Sequence, residues 1–164
     1  MLRRFSKRIG TDGSGAAGVE FALVLPLLVV LTFGTIEMGR MLWQHEIITK
    51  GVRDGVRYLT RVPVSCTTAG PGGTFSAAAE QAAENLVKSG TTTAGTPILS
   101  AYNSATFTIE VDCRDAAALG LSGGTYLPVV RMTAAVPFVD YFLGIIGIGD
   151  VTFTVTHEEV NVGE

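Results

Sequence analysis

The chain has 164 residues, of which 47% are hydrophobic and only 16% are charged. This composition is too apolar for a disordered protein, and a mean hydropathy of +0.38 is high for a wholly soluble domain of this size. The net charge of -3 carries no signature of a nucleic-acid-binding protein. Two cysteines and two distant histidines exclude a zinc site built from Cys and His alone.

The charges are unevenly distributed around one apolar segment. Residues 1–15 carry four basic side chains and one acidic side chain, a net charge of +3, whereas residues 16–164 carry -6. Residues 21–36 carry no charge. As a helix this run would be about 24 Å long, and the hydrocarbon core of a bilayer is roughly 30 Å thick. Apolar flanks extend this run, and Trp43 suits an interfacial anchor. The sequence therefore predicts one transmembrane helix, and the basic leader favours a cytoplasmic N-terminus.

A cleaved secretory signal is the alternative interpretation of this N-terminal region, because a basic stretch and an apolar core are common to both. The core is longer than that of an ordinary signal, and residues 37–40 (Glu-Met-Gly-Arg) form a poor cleavage site. We therefore expect the apolar helix to be retained.

Two motifs overlap at the start of the apolar run. Gly13, Gly15 and Gly18 match G-x-G-x-x-G, but a dinucleotide site needs a preceding strand, and here a basic leader precedes. Gly15 also stands five positions before Glu20. Phe21 and an apolar helix come directly after Glu20. This spacing resembles the processing pattern of type IV prepilins in their tight-adherence (Flp/Tad) form. Residues 19–28 and 34–40 extend the likeness, so that residues 15–62 resemble the TadE-like pseudopilin family.

The resemblance implies that a membrane aspartyl prepilin peptidase cuts between Gly15 and Ala16 and leaves the helix as an anchor. Glu20 then lies one helical turn from the new ammonium group of Ala16. An ion pair with this ammonium, or with that of a neighbouring subunit, would offset the cost of a carboxylate in the membrane. The alternative is that Glu20 only extends towards the interface.

A second pair of charges stands at the other end of the apolar run. Arg40 follows Glu37 at i+3, which favours a local ion pair. The pair is either a solvated pair at the membrane edge or a contact with another subunit. Beyond it, helical character is expected to continue to about residue 62, with an apolar stripe of Ile48, Val52, Leu59 and Val62. A basic stripe of Lys50, Arg53, Arg57 and Arg61 is either a solvated face or a surface for an acidic partner.

The remainder of the chain predicts a small α+β domain. Residues 76–89 are typical of a helix that ends at Gly90. Strands are predicted over residues 105–112, 126–137 and 151–157, where apolar and polar residues alternate. Three antiparallel strands against a long helical spine, with one or two short helices, give the expected fold. The expected organisation is a basic leader (1–15), a transmembrane helix (16–42) and a periplasmic domain (43–164).

Two further features of the outer domain leave alternatives open. Cys66 and Cys113 would form a disulfide in an oxidising periplasm, with a contribution of about 4 kcal/mol, or would be two buried thiols. The apolar segment 138–148 is either ordinary core or an exposed patch for a partner or lipid. The candidate patch residues are Phe138, Tyr141, Phe142, Leu143, Ile145 and Ile146.

No catalytic motif is found in the sequence, so we expect no enzymatic activity, cofactor or metal. The resemblance implies a pseudopilin or minor pilin that is needed for assembly of a tight-adherence pilus and lies in the bacterial inner membrane. It implies as partners other pseudopilins, the major Flp-type pilin, the prepilin peptidase, the inner-membrane assembly platform and lipid, and the net charge predicts no nucleic acid. A single-pass periplasmic binding or sensor module that keeps its leader is the alternative function.

Overall fold

The first helix runs through the apolar segment and well beyond it. The computed structural model describes residues 14–120, 126–142, 144, 147 and 151–162. Helix α1 spans Ser14–Leu59, 46 residues or about 69 Å. Pro26 lies inside α1 without ending it. The hydroxyls of Thr32 and Thr35 each donate to the carbonyl oxygen four residues earlier, at 2.7 Å. These bonds satisfy polar groups on a helix that is otherwise apolar here.

Helix α1 ends at Leu59, three residues before the predicted boundary at residue 62. The N–H groups of Arg61 and Val62 bond to the carbonyls of Tyr58 and Leu59, an i to i−3 pattern that tightens the last turn. The side-chain amide of Asn161 then donates to the carbonyl oxygens of Leu59 at 2.8 Å and Val62 at 2.9 Å. The end of α1 is therefore capped by a residue 102 positions later in the chain.

A second helix and a short 3-10 helix follow. Helix α2 spans Ala77–Ser89, close to the predicted 76–89. The hydroxyl of Ser76 accepts a hydrogen bond from the backbone of Ala79 at 3.3 Å and caps its first turn. Gly90 closes α2 in the left-handed conformation (φ 76°), which glycine adopts without a Cβ penalty. The 3-10 helix Ser100–Ser104 was not predicted.

Four antiparallel strands form one sheet in the order β1-β2-β3-β4. Their bounds are β1 Gly70–Pro71, β2 Thr106–Asp115, β3 Tyr126–Pro137 and β4 Thr152–Val160. The last three correspond to the predicted strands, and the expected α+β class is confirmed.

Two details of the sheet differ from the prediction. Strands β2 and β4 each continue three residues past their predicted ends, because both stay paired with β3 over this length. Strand β1 has no counterpart among the predicted strands. It pairs through two residues only, with Cys113 and Asp112 of β2, too short a strand for an alternating pattern to reveal.

The hydrophobic core lies between the outer half of α1, helix α2 and one face of the sheet. Ile48, Val52, Val56 and Leu59 of α1 have no solvent exposure. On the side of the sheet that faces α1, every second residue of β3 is buried. These residues are Val130, Met132, Ala134 and Val136. The predicted apolar stripe on α1 is thus the surface that packs on the domain, except that Val62 is half-buried and Val56 was not included.

Helix α2 approaches α1 at two glycines. A Cβ at Gly51 would lie 3.1 Å from the carbonyl oxygen of Val87. A Cβ at Gly55 would lie 3.0 Å from the Cγ2 of Val87 and 3.1 Å from the Sδ of Met132. The G-x-x-x-G spacing therefore lets two helices of the same chain pack closely.

The sulfurs of Cys66 and Cys113 are joined in a disulfide, with their Cα atoms 5.9 Å apart. The bond connects the segment after α1 to strand β2 across 47 positions of sequence. Together with the Asn161 cap, it fixes the outer end of α1 to the sheet.

The close packing at Gly55 predicts a large effect of a bulky side chain. Gly55→Leu should lower the free energy of unfolding by about 1–3 kcal/mol, because the new atoms overlap Val87 and Met132. Gly39→Leu is the matched control, since nothing lies within 4 Å of a Cβ at Gly39. Urea unfolding of the detergent-solubilised protein, followed by near-UV circular dichroism, measures both. Equal stability of the two variants would contradict the packing described for Gly55.

The cap at the end of α1 gives a second prediction. Asn161→Ala should cost about 1–3 kcal/mol of unfolding free energy, because the carbonyls of Leu59 and Val62 lose their donor in a buried setting. Asn103→Ala, at an exposed position of the 3-10 helix, is the control and should change stability by less than about 0.5 kcal/mol. The same urea titration distinguishes them, and an Asn161 variant as stable as the control would refute the cap.

Candidate functional site

The inner half of α1 exposes a continuous apolar surface. Every residue from Gly15 to Phe33 is exposed, among them Phe21, Leu23 and Leu27. An 18-residue window of this helix has a mean hydropathy of 2.3, and none of it is buried against the other described residues. It is the one helix among the described residues that is long and apolar enough to cross a membrane. Such a surface needs lipid or another protein around it, and α1 fits a single-pass membrane anchor.

The residues of the predicted processing site lie at the start of α1. Gly15 and Ala16 are in its first turn, and Glu20 and Phe21 follow in the second, all exposed. Residues 1–13 of the expected leader lie outside the described residues, and its last two residues, Ser14 and Gly15, already belong to α1. Glu20 stands one turn beyond Ala16 on the exposed apolar surface, where a carboxylate is costly without a partner.

A polar cluster joins α1 to the domain at the outer end of this apolar surface. Glu37 is only 4% exposed. Its Oε2 accepts from the Nη1 of Arg40 at 2.8 Å, and its Oε1 accepts from the backbone N–H of Tyr141 at 2.9 Å. The Nη2 of Arg40 donates to the carbonyl oxygen of Val139 at 3.1 Å. We call these four residues the Glu37 cluster. Both carboxylate oxygens are bonded, which is what a buried carboxylate requires.

Aromatic rings surround the Glu37 cluster. The guanidinium of Arg40 lies 4.2 Å from the ring centroid of Tyr141 and 5.5 Å from that of Phe138. The rings of Phe142 and Phe33 stack at 5.6 Å, which adds an apolar contact one turn inward along α1. An open cavity of about 470 Å³ lies between these groups. The segment 138–142 is thereby held against α1 by ionic, cation–π and stacking contacts together.

The structure shows the setting of these residues within the chain, while their predicted contacts with other subunits or lipid stay predictions. Glu37 and Arg40 do form an ion pair, but Glu37 is buried and bonded to its own chain rather than solvated. Within the apolar segment, Phe138 is buried, Phe142 is half-buried on α1, and Tyr141 is 74% exposed. Leu143, Ile145 and Ile146, also predicted for this patch, lie outside the described residues.

Sequence reasoning missed the burial of Glu37 and of Gln44. The signal was present in the spacing, because Glu37, Gln44, Ile48 and Val52 follow at intervals of seven, four and four along one helix face. The domain-facing stripe therefore begins at Glu37. Gln44 is buried and its Oε1 has no hydrogen-bond partner among the described residues.

No arrangement typical of catalysis occurs in the described part of the chain. It contains no group of three or more His, Cys, Asp or Glu side chains that would hold a metal ion. His45 packs against the ring of Phe153, and His157 lies 3.0 Å from a carboxylate oxygen of Glu159. Burial raises the pKa of Tyr102 to about 12, so its hydroxyl remains protonated at physiological pH.

Disruption of the Glu37 cluster should loosen the segment 138–142. Glu37→Ala removes the acceptor of the Tyr141 N–H, and we expect amide hydrogen exchange at this position to rise about tenfold or more. Glu46→Ala removes an exposed carboxylate of the same helix and serves as the control. Hydrogen exchange with mass spectrometry reads the peptide that contains Tyr141. Unchanged exchange in the Glu37 variant would show that the cluster does not hold this segment.

Comparison with known proteins finds one similarity, and it lies in the N-terminal helix. Residues 15–57 match the family model described as TadE-like protein. The match covers nearly all of α1, including Glu20, Glu37 and Arg40, and confirms the resemblance expected from the sequence over this segment. No curated protein and no solved structure matches the chain.

Proposed function

We propose that this chain is a membrane-anchored pseudopilin, or minor pilin, of a tight-adherence (Flp/Tad) pilus, and that it acts by assembly rather than by catalysis. The observation that carries the proposal is the TadE-like match over residues 15–57, on a helix whose inner half is wholly exposed and apolar. A subunit that must enter both a membrane and an assembly needs such a surface. Since the described part of the chain leaves this surface uncovered, its proposed partners are lipid and other subunits.

Leader removal between Gly15 and Ala16 is part of this proposal. The leader would comprise residues 1–15, the membrane helix residues 16–42 and the outer domain residues 43–164. After the cut, Ala16 carries an ammonium group one turn before Glu20. The ion pair between them, within one subunit or between two, compensates for the carboxylate on an apolar surface. The exposure of Glu20 supports a role outside its own domain.

The proposed orientation places the N-terminus in the cytoplasm and the domain in the periplasm, across the bacterial inner membrane. The four basic residues before the helix support this orientation. The disulfide between Cys66 and Cys113 supports an oxidising compartment for the domain. The proposed partners are other pseudopilins, the major Flp-type pilin, the prepilin peptidase and the inner-membrane assembly platform.

The mass of the protein extracted from its own membrane tests the processing step. We expect an N-terminus at Ala16, and Gly15→Leu should retain the leader because the scissile position no longer holds a small residue. An intact leader in the unaltered protein would favour a binding or sensor module instead. An N-terminus beyond residue 40 would indicate an ordinary signal sequence.

The carboxylate of Glu20 is tested separately, by counting pili. Glu20→Ala should reduce the number of assembled pili at least tenfold while the protein remains in the membrane, because the ammonium group of Ala16 loses its partner in hydrocarbon. Glu46→Ala is the matched control, since Glu46 lies on the same helix beyond the apolar run. Normal pili with Glu20→Ala would remove the proposed role of this side chain.

A further inference from the structure

The segment that follows β3 reaches along α1 towards the exposed apolar half of the helix. The backbone N–H of Tyr141 donates to Glu37 at 2.9 Å. The ring of Phe142 stacks on that of Phe33, one turn further inward on α1, with 5.6 Å between the ring centroids. Phe33 belongs to the uncharged run 21–36. The domain therefore contacts α1 within the part of the helix that fits a membrane span.

The depth of this contact in a bilayer follows from the length of the helix. A hydrocarbon core of roughly 30 Å takes about twenty helical residues, which is the run 21–36 with about two residues added at each end. The hydrocarbon boundary on the domain side then lies near Met38. Trp43 stands about 7.5 Å beyond this boundary, in the headgroup layer that tryptophan prefers. A helix tilt of about 20° shortens such depths by only about 6%.

The ring of Phe142 lies on the hydrocarbon side of this boundary. The Cα of Phe33 is about 7.5 Å inside it, and helical side chains tilt towards the N-terminus, which here is further inward. Because the two ring centroids are 5.6 Å apart, Phe142 stays within the hydrocarbon even when the whole displacement is outward. Tyr141, bonded to Glu37, lies at the boundary itself.

The charged groups beside this contact lie at or near the level of the lipid headgroups. Arg40 is about 3 Å beyond the boundary and donates to the carbonyl oxygen of Val139. Asp140 follows Val139 and accepts a hydrogen bond from the N–H of Gly144 at 2.6 Å. Glu37, just inside the boundary, has both carboxylate oxygens bonded within the chain. This carboxylate therefore needs no water or further partner at that depth.

The cavity of about 470 Å³ between this segment and α1 has the polarity of a lipid molecule. Its walls are apolar on the inward side and polar on the outward side, which is the order in which a phospholipid of that leaflet presents its acyl chain and its headgroup. The lining residues are Phe33, Ile36 and Phe142 on the inward side, and Glu37, Arg40 and Tyr141 on the outward side.

We propose that the domain itself enters the bilayer leaflet on its side of the membrane, with Phe142 in the hydrocarbon, Tyr141 at the boundary and a lipid acyl chain in the cavity. The exposed apolar surface of α1 continues onto this segment, since Ile36 is 54%, Met38 58% and Tyr141 74% exposed. The lipid that surrounds α1 therefore also covers part of the domain. The domain is held to the membrane by a second contact besides the helix.

Quenching of tryptophan emission by brominated acyl chains tests this placement, in the full chain reconstituted as one copy per phosphatidylcholine nanodisc. Trp43 is the only tryptophan, so Tyr141→Trp combined with Trp43→Phe reports on position 141 alone. Val162→Trp in the same background is the matched control, because Val162 is 73% exposed, close to the value for Tyr141. The N–H of Val162 bonds to the carbonyl of Thr60, about 30 Å from the boundary along α1.

Brominated chains should lower the emission of the Tyr141→Trp variant about twofold or more, because the indole lies at the hydrocarbon boundary. They should leave the emission of the Val162→Trp variant unchanged. Adding Phe142→Asp should remove most of the quenching at position 141, since a carboxylate is costly in hydrocarbon. Phe142→Leu should retain it, because the position stays apolar although the stacking on Phe33 is lost. Raising the salt concentration should have no effect on an apolar contact.

Equal emission from position 141 with and without bromine would overturn the inference. So would quenching that survives Phe142→Asp, or quenching that falls as salt is raised, which would indicate attraction between charges. Loss of quenching when several copies share one vesicle would assign the cavity to a second copy and overturn it as well. The contact requires α1 to span a bilayer but no pilus, so its failure is distinct from failure of leader removal at Gly15 or of the Glu20→Ala test.

Discussion

The structure depends on a helix that is too long for its own domain to cover. About half of α1 packs on the sheet and on α2, and the other half is apolar and exposed throughout the described residues. Apolar surface of this extent is unfavourable in water, since each buried square ångström contributes about 25 cal/mol. The environment of the inner half must therefore be lipid or other helices. The remaining features of the chain position a small polar domain at the end of this helix.

The Glu37 cluster helps to join the domain to α1 where the exposed apolar half of the helix ends. A buried carboxylate is tolerated here because its two oxygens bond Arg40 and the backbone of Tyr141. Arg40 in turn bonds the backbone of Val139, so one ion pair fixes both side chains and the segment after β3. At the other end of the packed region, the disulfide and the Asn161 cap fix α1 a second time. With attachments at both ends, α1 and the domain form one unit rather than two flexibly linked parts.

Local sequence patterns were sufficient for much of the fold. The alternation of Thr and apolar residues located β2 and β4, and Ser76 and Gly90 marked the ends of α2, because these signals arise between near neighbours. The pairing of Glu37 with Arg40 was also visible, at a spacing of three. The hydrogen bond that the Tyr141 N–H donates to Glu37 could not be predicted from local sequence, because the two residues are 104 positions apart. Strand β1 was missed because two residues, Gly70 and Pro71, carry no periodicity and depend on β2 for their conformation.

The contact between Asn161 and the end of α1 has a consequence for biosynthesis. The carbonyls of Leu59 and Val62 leave the ribosome about a hundred residues before the side chain that satisfies them. Strand β4, which directly precedes Asn161, is the last of the described strands in chain order. The outer end of α1 is therefore synthesised long before the side chain that caps it. A chain that ends before Asn161 would form the helix but would lack this closing contact.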